Sequence, residues 1–218
     1  IIILNHFLNK CIIYMVNSKC TTCPYTIVLK ETLNWGERQS NKSDSFSPQS
    51  GFEPIYEPDK WNLKKNIKEN HNCYAYAINR IAYNRRDKSQ PGYFSNFPPL
   101  RNTDYSCATF RKRLKKDIPG LYITDFNTKC KPGFSKAFLA LAKDDKNEND
   151  KDYHFYRQDT NGFWSHKPGR TSVKNIDASG KKIINPLIAD RKYDYFDYSY
   201  PCFFFCVNSK LSSLSSTQ

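Results

Sequence analysis

Three side chains with the means for acyl-transfer chemistry stand in the order Cys73, His154, His166. The cysteine lies in "ENHNCYAYAINRIAYN" and the histidines in "DYHFYRQDTNGFWSHKPG". A thiol at a helix N-terminus is acidified by the unpaired backbone N–H groups there, and an adjacent imidazole completes a thiolate–imidazolium pair. A second imidazole can orient the first, which is the logic of a catalytic triad. Cys73 is therefore the candidate nucleophile, His154 the base and His166 its orienting partner. Asn70 and Asn72, just upstream, are candidate amide donors to an oxyanion beside the Cys73 backbone N–H. The competing reading makes Cys73 a small side chain facing a core, since free cysteine is among the most buried residue types. The histidines likewise admit a structural pairing or a metal-binding role.

The elements that must position these groups follow from local signals. Asn70 or Asn72 can cap a helix running from about Cys73 to about Tyr83, whose apolar face is Ala75, Ala77, Ile78, Ile81 and Ala82. Thr160-Asn161-Gly162 suits a three-residue hairpin loop in which Gly162 takes the left-handed conformation. That loop pairs Asp159 with Phe163 and Tyr156 with His166. His154, Tyr156, Trp164 and His166 then share one face of the hairpin, with the two histidines diagonal and in side-chain reach. Tyr156, Arg157 and Trp164 are candidate lining of a substrate groove. For Arg157 the alternative is a strand-surface ion pair, and for Trp164 it is core packing.

Elsewhere "YSCATFRKRLKKDIPG" reads as a helix ended by Pro119-Gly120, "LYITDF" as a short strand, "SKAFLALAKDDK" as a helix capped by Ser135, and "YPCFFFCVN" as a buried strand. Arg111, Lys112, Arg113, Lys115 and Lys116 form a cationic cluster able to contact a polyanion such as nucleic acid, or else simply a solvated helix face. The chain carries 34 Lys and Arg against 21 Asp and Glu, a net charge of +13 that concentrates anionic partners without selecting among them. Fifteen Tyr and fifteen Phe favour pleated, ring-packed surfaces and argue against a coiled coil. Cys20 and Cys23 form a Cys-x-x-Cys pair, and Cys202 and Cys206, four apart on a strand, fall on one face. No metal and no cofactor is expected. The apolar start is too short and too polar to span a bilayer, and it lacks the flanks of a secretory signal. A true start at Met15, the only Met, favours a reducing compartment and free thiols, and so a cytoplasmic or virion and host-cytoplasm location over secretion. The expected organisation is a flexible or non-native segment 1–51, one domain over 52–207, and a disordered tail over 208–218.

"NHNCYAYAIN" followed by "DYHFYRQDTNGFWSHKPG" resembles the papain-like cysteine hydrolases of the NlpC/P60 and CHAP type. It is also similar to bacterial and large-virus proteins carrying Trp-Ser-His-Lys-Pro-Gly after a His-aromatic-Tyr-Arg strand. The resemblance spans about Phe52 to Val207. It implies an α+β, papain-like fold in which a helix bearing Cys73 packs on an antiparallel sheet bearing His154 and His166. It further implies a thiol peptidase or amidase acting through an acyl-enzyme on a peptide or amide-containing polymer. The Asp-Cys-Ser and His-Val-Gly contexts common in cell-wall members of that group are absent here, which leaves the substrate unassigned. The contrasting function is a non-catalytic basic protein that binds a polyanion.

Overall fold

The computed structural model describes residues 45–81, 88–142 and 151–208, all within one unit, residues 44–218. Residues 1–14, Met15, Cys20 and Cys23, most of the acidic run around 144–152 and the tail beyond Asn208 lie outside the described residues. Among the described residues two short helices come first, α1 (Pro58–Asn62) and α2 (Lys65–Asn70), and they bury Trp61 and Ile67 against Tyr76 and Val173. Next is α3 (Cys73–Ala77). Asn72 is its cap, with Oδ1 accepting from the Ala75 N–H at 3.1 Å and so satisfying one of the donors a helix start leaves open. α3 stops well short of Tyr83, because Asn79 takes a left-handed conformation with φ of 51°. α4 (Cys107–Asp117) is capped by the Ser106 hydroxyl and follows the spacing of Phe110 and Leu114, both fully buried.

Five antiparallel strands complete the described fold: β1 (Tyr122–Thr124), β2 (Phe134–Ala142), β3 (Asp152–Gln158), β4 (Trp164–His166) and β5 (Tyr200–Asn208), ordered β1-β5-β2-β3-β4. The architecture is thus α+β, with a mixed composition and one antiparallel sheet. Residues 135–142, the described part of the helix expected over "SKAFLALAKDDK", are strand instead. Their Ala and Leu residues favour a helix locally, but β2 is the sheet's central strand, paired with β5 on one side and β3 on the other and buried from Ser135 to Ala142. That tertiary pairing outweighs intrinsic propensity.

Alternation along the strands gives the sheet two unlike faces. Ala137, Leu139, Leu141, Tyr153, Phe155, Phe203, Phe205 and Val207 face α3 and α4, where Cys73, Tyr74, Ala77, Phe110 and Leu114 meet them in the main core. On the opposite face Phe138, Trp164, Phe204 and Phe126 pack ring against ring. Between Leu139 and Ala140 the β2–β5 register slips, since these residues pair with Phe203 and Pro201. Cys202 is the extra residue of that bulge, and a one-residue bulge inverts the alternation. Cys202 therefore joins the helix-side core and bonds Cys107 at the start of α4, whereas Cys206 bonds Cys130 in the loop before β2. The expectation that Cys202 and Cys206 share a face, as two free thiols, is corrected by this bulge and by the two disulfides.

The packed unit reaches back before Phe52. Ser47 is buried, its hydroxyl donating to the Phe126 carbonyl and accepting from Lys136 Nζ, while Gln158 donates to the Ser47 carbonyl. Hydrogen bonding of this depth makes 47 part of the fold, where a flexible segment was expected through residue 51.

Candidate functional site

The hairpin of β3 and β4 has the register read from its loop. Tyr156 pairs with His166, the Asp159 N–H donates to the Phe163 carbonyl, and Gly162 holds a φ of 85°. The alternation then brings His154 Nε2 within 2.7 Å of His166 Nδ1. His166 Nε2 lies 3.0 Å from the Ile176 carbonyl, which can only accept. That assigns the protons: His166 carries its hydrogen on Nε2, so its bare Nδ1 accepts from His154 Nε2–H. Both rings are buried and neutral. Burial, then the neighbouring His166, holds His154 well below the usual histidine range, and burial pulls His166 down to about 4 against the opposing Ile176 carbonyl.

Around the pair stand tyrosines that no spacing in the sequence would associate with it. Tyr193 and Tyr198 come from the long loop after β4 and pack on the His154 ring, and Tyr156 stacks on His166. Tyr198 donates to Asp152 Oδ2 at 2.6 Å. The Tyr156 and Tyr193 hydroxyls are buried beside one another, and each acts on the other's ionisation.

Cys73 is not brought to this pair. It occupies the helix-side core with Tyr153 and Phe155, whereas His154 and Tyr156 point to the other face of β3. Its Sγ donates to the Tyr153 carbonyl at 3.7 Å, so its partner is strand backbone rather than imidazole. Burial, then the Asp152 carboxylate, pushes the thiol up to about 12. This is the opposite of the lowered value a nucleophilic cysteine requires. α3 has five residues, too short to supply a strong terminal field.

The supporting residues are engaged in the fold. Asn72 spends its carbonyl oxygen on Ala75 and one amide hydrogen on the Ser89 carbonyl at 2.9 Å, and its side chain also bonds the Tyr153 hydroxyl. Asn70 is the last residue of α2. The groove expected at Tyr156, Arg157 and Trp164 is filled, for all three are at most 1% exposed. Arg157 is a hub. It donates to Asp159 Oδ1 at 3.0 Å, to the carbonyls of Tyr76 and Ile55 and to Asn79 Oδ1, and it lies 3.8 Å from the Tyr76 ring centre. It thereby ties the end of α3 to β3. Lys167, also fully buried, gives its three hydrogens to the carbonyls of Lys68, Gly169 and Thr171. Among the described residues no three His, Cys, Asp or Glu side chains gather where they could hold a metal ion.

Of the cationic cluster, Arg113 turns inward. It is 4% exposed and donates to the Pro91 and Pro98 carbonyls and to Asp104. Arg111, Lys112, Lys115 and Lys116 remain in solvent. No helix among the described residues is long and apolar enough to cross a membrane.

No family model matches the chain. No solved structure matches it either. It is similar to insoluble matrix shell protein 1 of Ruditapes philippinarum, with 36% identity over 136 residues that cover 62% of this chain and 80% of that protein. This relative corrects the description of the chain as a hydrolase or thiol protease, because its own name is that of a matrix protein. The cytoplasmic location is corrected on the same ground, together with the Cys107–Cys202 and Cys130–Cys206 disulfides, which belong to an oxidising compartment. With that identity over four fifths of the relative's length, the chain belongs to the family of insoluble matrix shell protein 1.

Proposed function

We propose that this protein is a non-catalytic structural component of an insoluble extracellular matrix, in which a papain-like arrangement of a Cys-bearing helix on an antiparallel sheet serves as scaffold and not as catalyst. The observation that carries the reading is the placement of Cys73: buried, bonded to the Tyr153 carbonyl and on the sheet face that His154 does not share. The His154–His166 bond, the filled groove and the hydrogen bonds of the Asn72 amide support the same conclusion, because His154, His166 and Asn72 each have a structural task. Two disulfides that lock β5 to α4 and to the loop before β2 suit a protein that must persist outside cells.

The test is a fractionation of source tissue with quantitative peptide mass spectrometry. The protein is expected in the detergent-insoluble extracellular fraction with both disulfides intact. Recovery chiefly from the cytosol with reduced cysteines would overturn the reading, as would labelling of native Cys73 by a thiol-directed vinyl sulfone at neutral pH.

A further inference from the structure

The outer face of α4 carries four cations in one stripe. Arg111 and Lys115, and Lys112 and Lys116, are each four residues apart and so lie one above the other on a helix. All four are exposed, and among the described residues none makes an ion pair. The only acid of α4 is Asp117, which is buried and accepts from Tyr74, the Gly92 N–H and Ser95. The stripe therefore has no compensating carboxylate on its own helix.

The helix is also held rigid. Cys107 bonds Cys202 in β5 at one end, Asp117 anchors the other, Phe110 and Leu114 are fully buried between them, and Arg113 fastens α4 to the segment before it. A fixed row of cations meets a polymeric anion with less ordering cost than the same charges on a mobile tail.

We propose that this face docks an extended acidic polypeptide with carboxylates on alternate residues. The repeat carries the choice: four helical residues advance about 6 Å along the axis, and two residues of an extended strand advance about 6.6 Å. Successive carboxylates on one side of such a strand meet Arg111 then Lys115, or Lys112 then Lys116. The proposal rests on the matrix reading for where such a polymer is met, and its binding test is independent of that reading.

The test measures binding of the disulfide-intact protein to polyaspartate over a range of salt. A variant with Arg111, Lys112, Lys115 and Lys116 each changed to Gln is compared with a charge-matched control carrying Lys129→Gln, Lys181→Gln, Lys182→Gln and Lys192→Gln, all at exposed positions. The α4 variant is expected to lose at least tenfold in affinity, with its log–log salt slope reduced by about three for the four contacts removed, about 0.7–0.9 each. The control is expected to keep the wild-type slope within about one. Equal loss in both variants would overturn the proposal by making net charge, not this face, responsible. Tighter, α4-dependent binding of a sulfated polysaccharide or a single-stranded oligonucleotide would overturn the assignment to a polypeptide. If the fourfold variant does not fold, Lys112→Gln with Lys116→Gln gives the same comparison with about half the slope change. Failure of this binding would leave the tissue fractionation, and hence the matrix reading, untouched.

Discussion

At the scale of single residues, Cys73 shows how environment decides what a thiol is. The atom that would attack a substrate donates instead to the Tyr153 carbonyl, and burial opposes its ionisation. Native Cys73 is therefore expected to resist iodoacetamide at both pH 6.5 and pH 8.5 and to react at an ordinary rate only after unfolding, as read by peptide mass spectrometry. Rapid native alkylation below pH 7 would contradict the geometry. The histidine pair makes a separate prediction. Both pKa values are depressed in the fold, so unfolded histidine binds a proton first, and the pair's contribution is present above about 6.5 and lost as the pH falls toward about 4. Buried Asp152, raised by desolvation and hydrogen-bonded to Tyr198, acts with the opposite sign, since its contribution fades as pH rises. The urea midpoint of wild type is expected to drop between pH 7 and pH 4.5, and the double variant His154→Leu, His166→Leu to show a flatter profile over that interval. Identical profiles would mean the pair titrates as freely in the native state as in the unfolded one.

At the scale of elements, the bulge at Cys202 determines the covalent framework. Without the extra residue, alternation would keep Cys202 and Cys206 together on the face away from α4, and neither could reach the helix layer. With it, one disulfide fastens α4 to the helix side of β5 and the other fastens the loop before β2, closing 95 and 76 residues of chain. Closing loops of that size restricts the unfolded chain, and each bond is expected to contribute about 2–5 kcal/mol. Non-reducing peptide maps are expected to show Cys107 linked to Cys202 and Cys130 to Cys206, with Cys73 free. Changing Cys107 and Cys202 to Ala is expected to lower unfolding free energy in that range without altering the second bond. A pairing of Cys202 with Cys206 would refute the bulge.

At the scale of the whole molecule, the boundary of the fold is set by buried polar contacts as much as by apolar ones. Lys136, fully buried on β2, has Ser47 and the Phe126 carbonyl as partners, and burial lowers its pKa to about 8. Removing Ser47 deprives a buried cation of a hydrogen bond and leaves the Gln158 amide without its acceptor. A chain starting at Phe52 is thus expected to be less stable by about 2–5 kcal/mol than one starting at residue 45, measured by urea denaturation. Equal stability would show that the segment around Ser47 is an ornament of the fold. The same logic applies to Arg157, whose links to Tyr76, Asn79 and Ile55 join α3 and the lead-in to β3.

The sequence by itself determined the local features. Gly162 in a three-residue loop fixes the hairpin register, and that register alone places His154 beside His166. A cap at Asn70 or Asn72 is recognisable, the structure choosing Asn72, and Phe110 and Leu114 mark the buried side of α4. Each depends on residues a few positions apart, where backbone geometry leaves few choices. Tertiary structure decided the rest. Nothing within "SKAFLALAKDDK" reveals that strands on both sides will claim it, and nothing near Cys73 reveals which face of β3 its helix will cover. A strand offers two faces of nearly equal local merit, and only the long-range packing of α3 and α4 against Tyr153 and Phe155 chose between them. That choice separated Cys73 from the histidines.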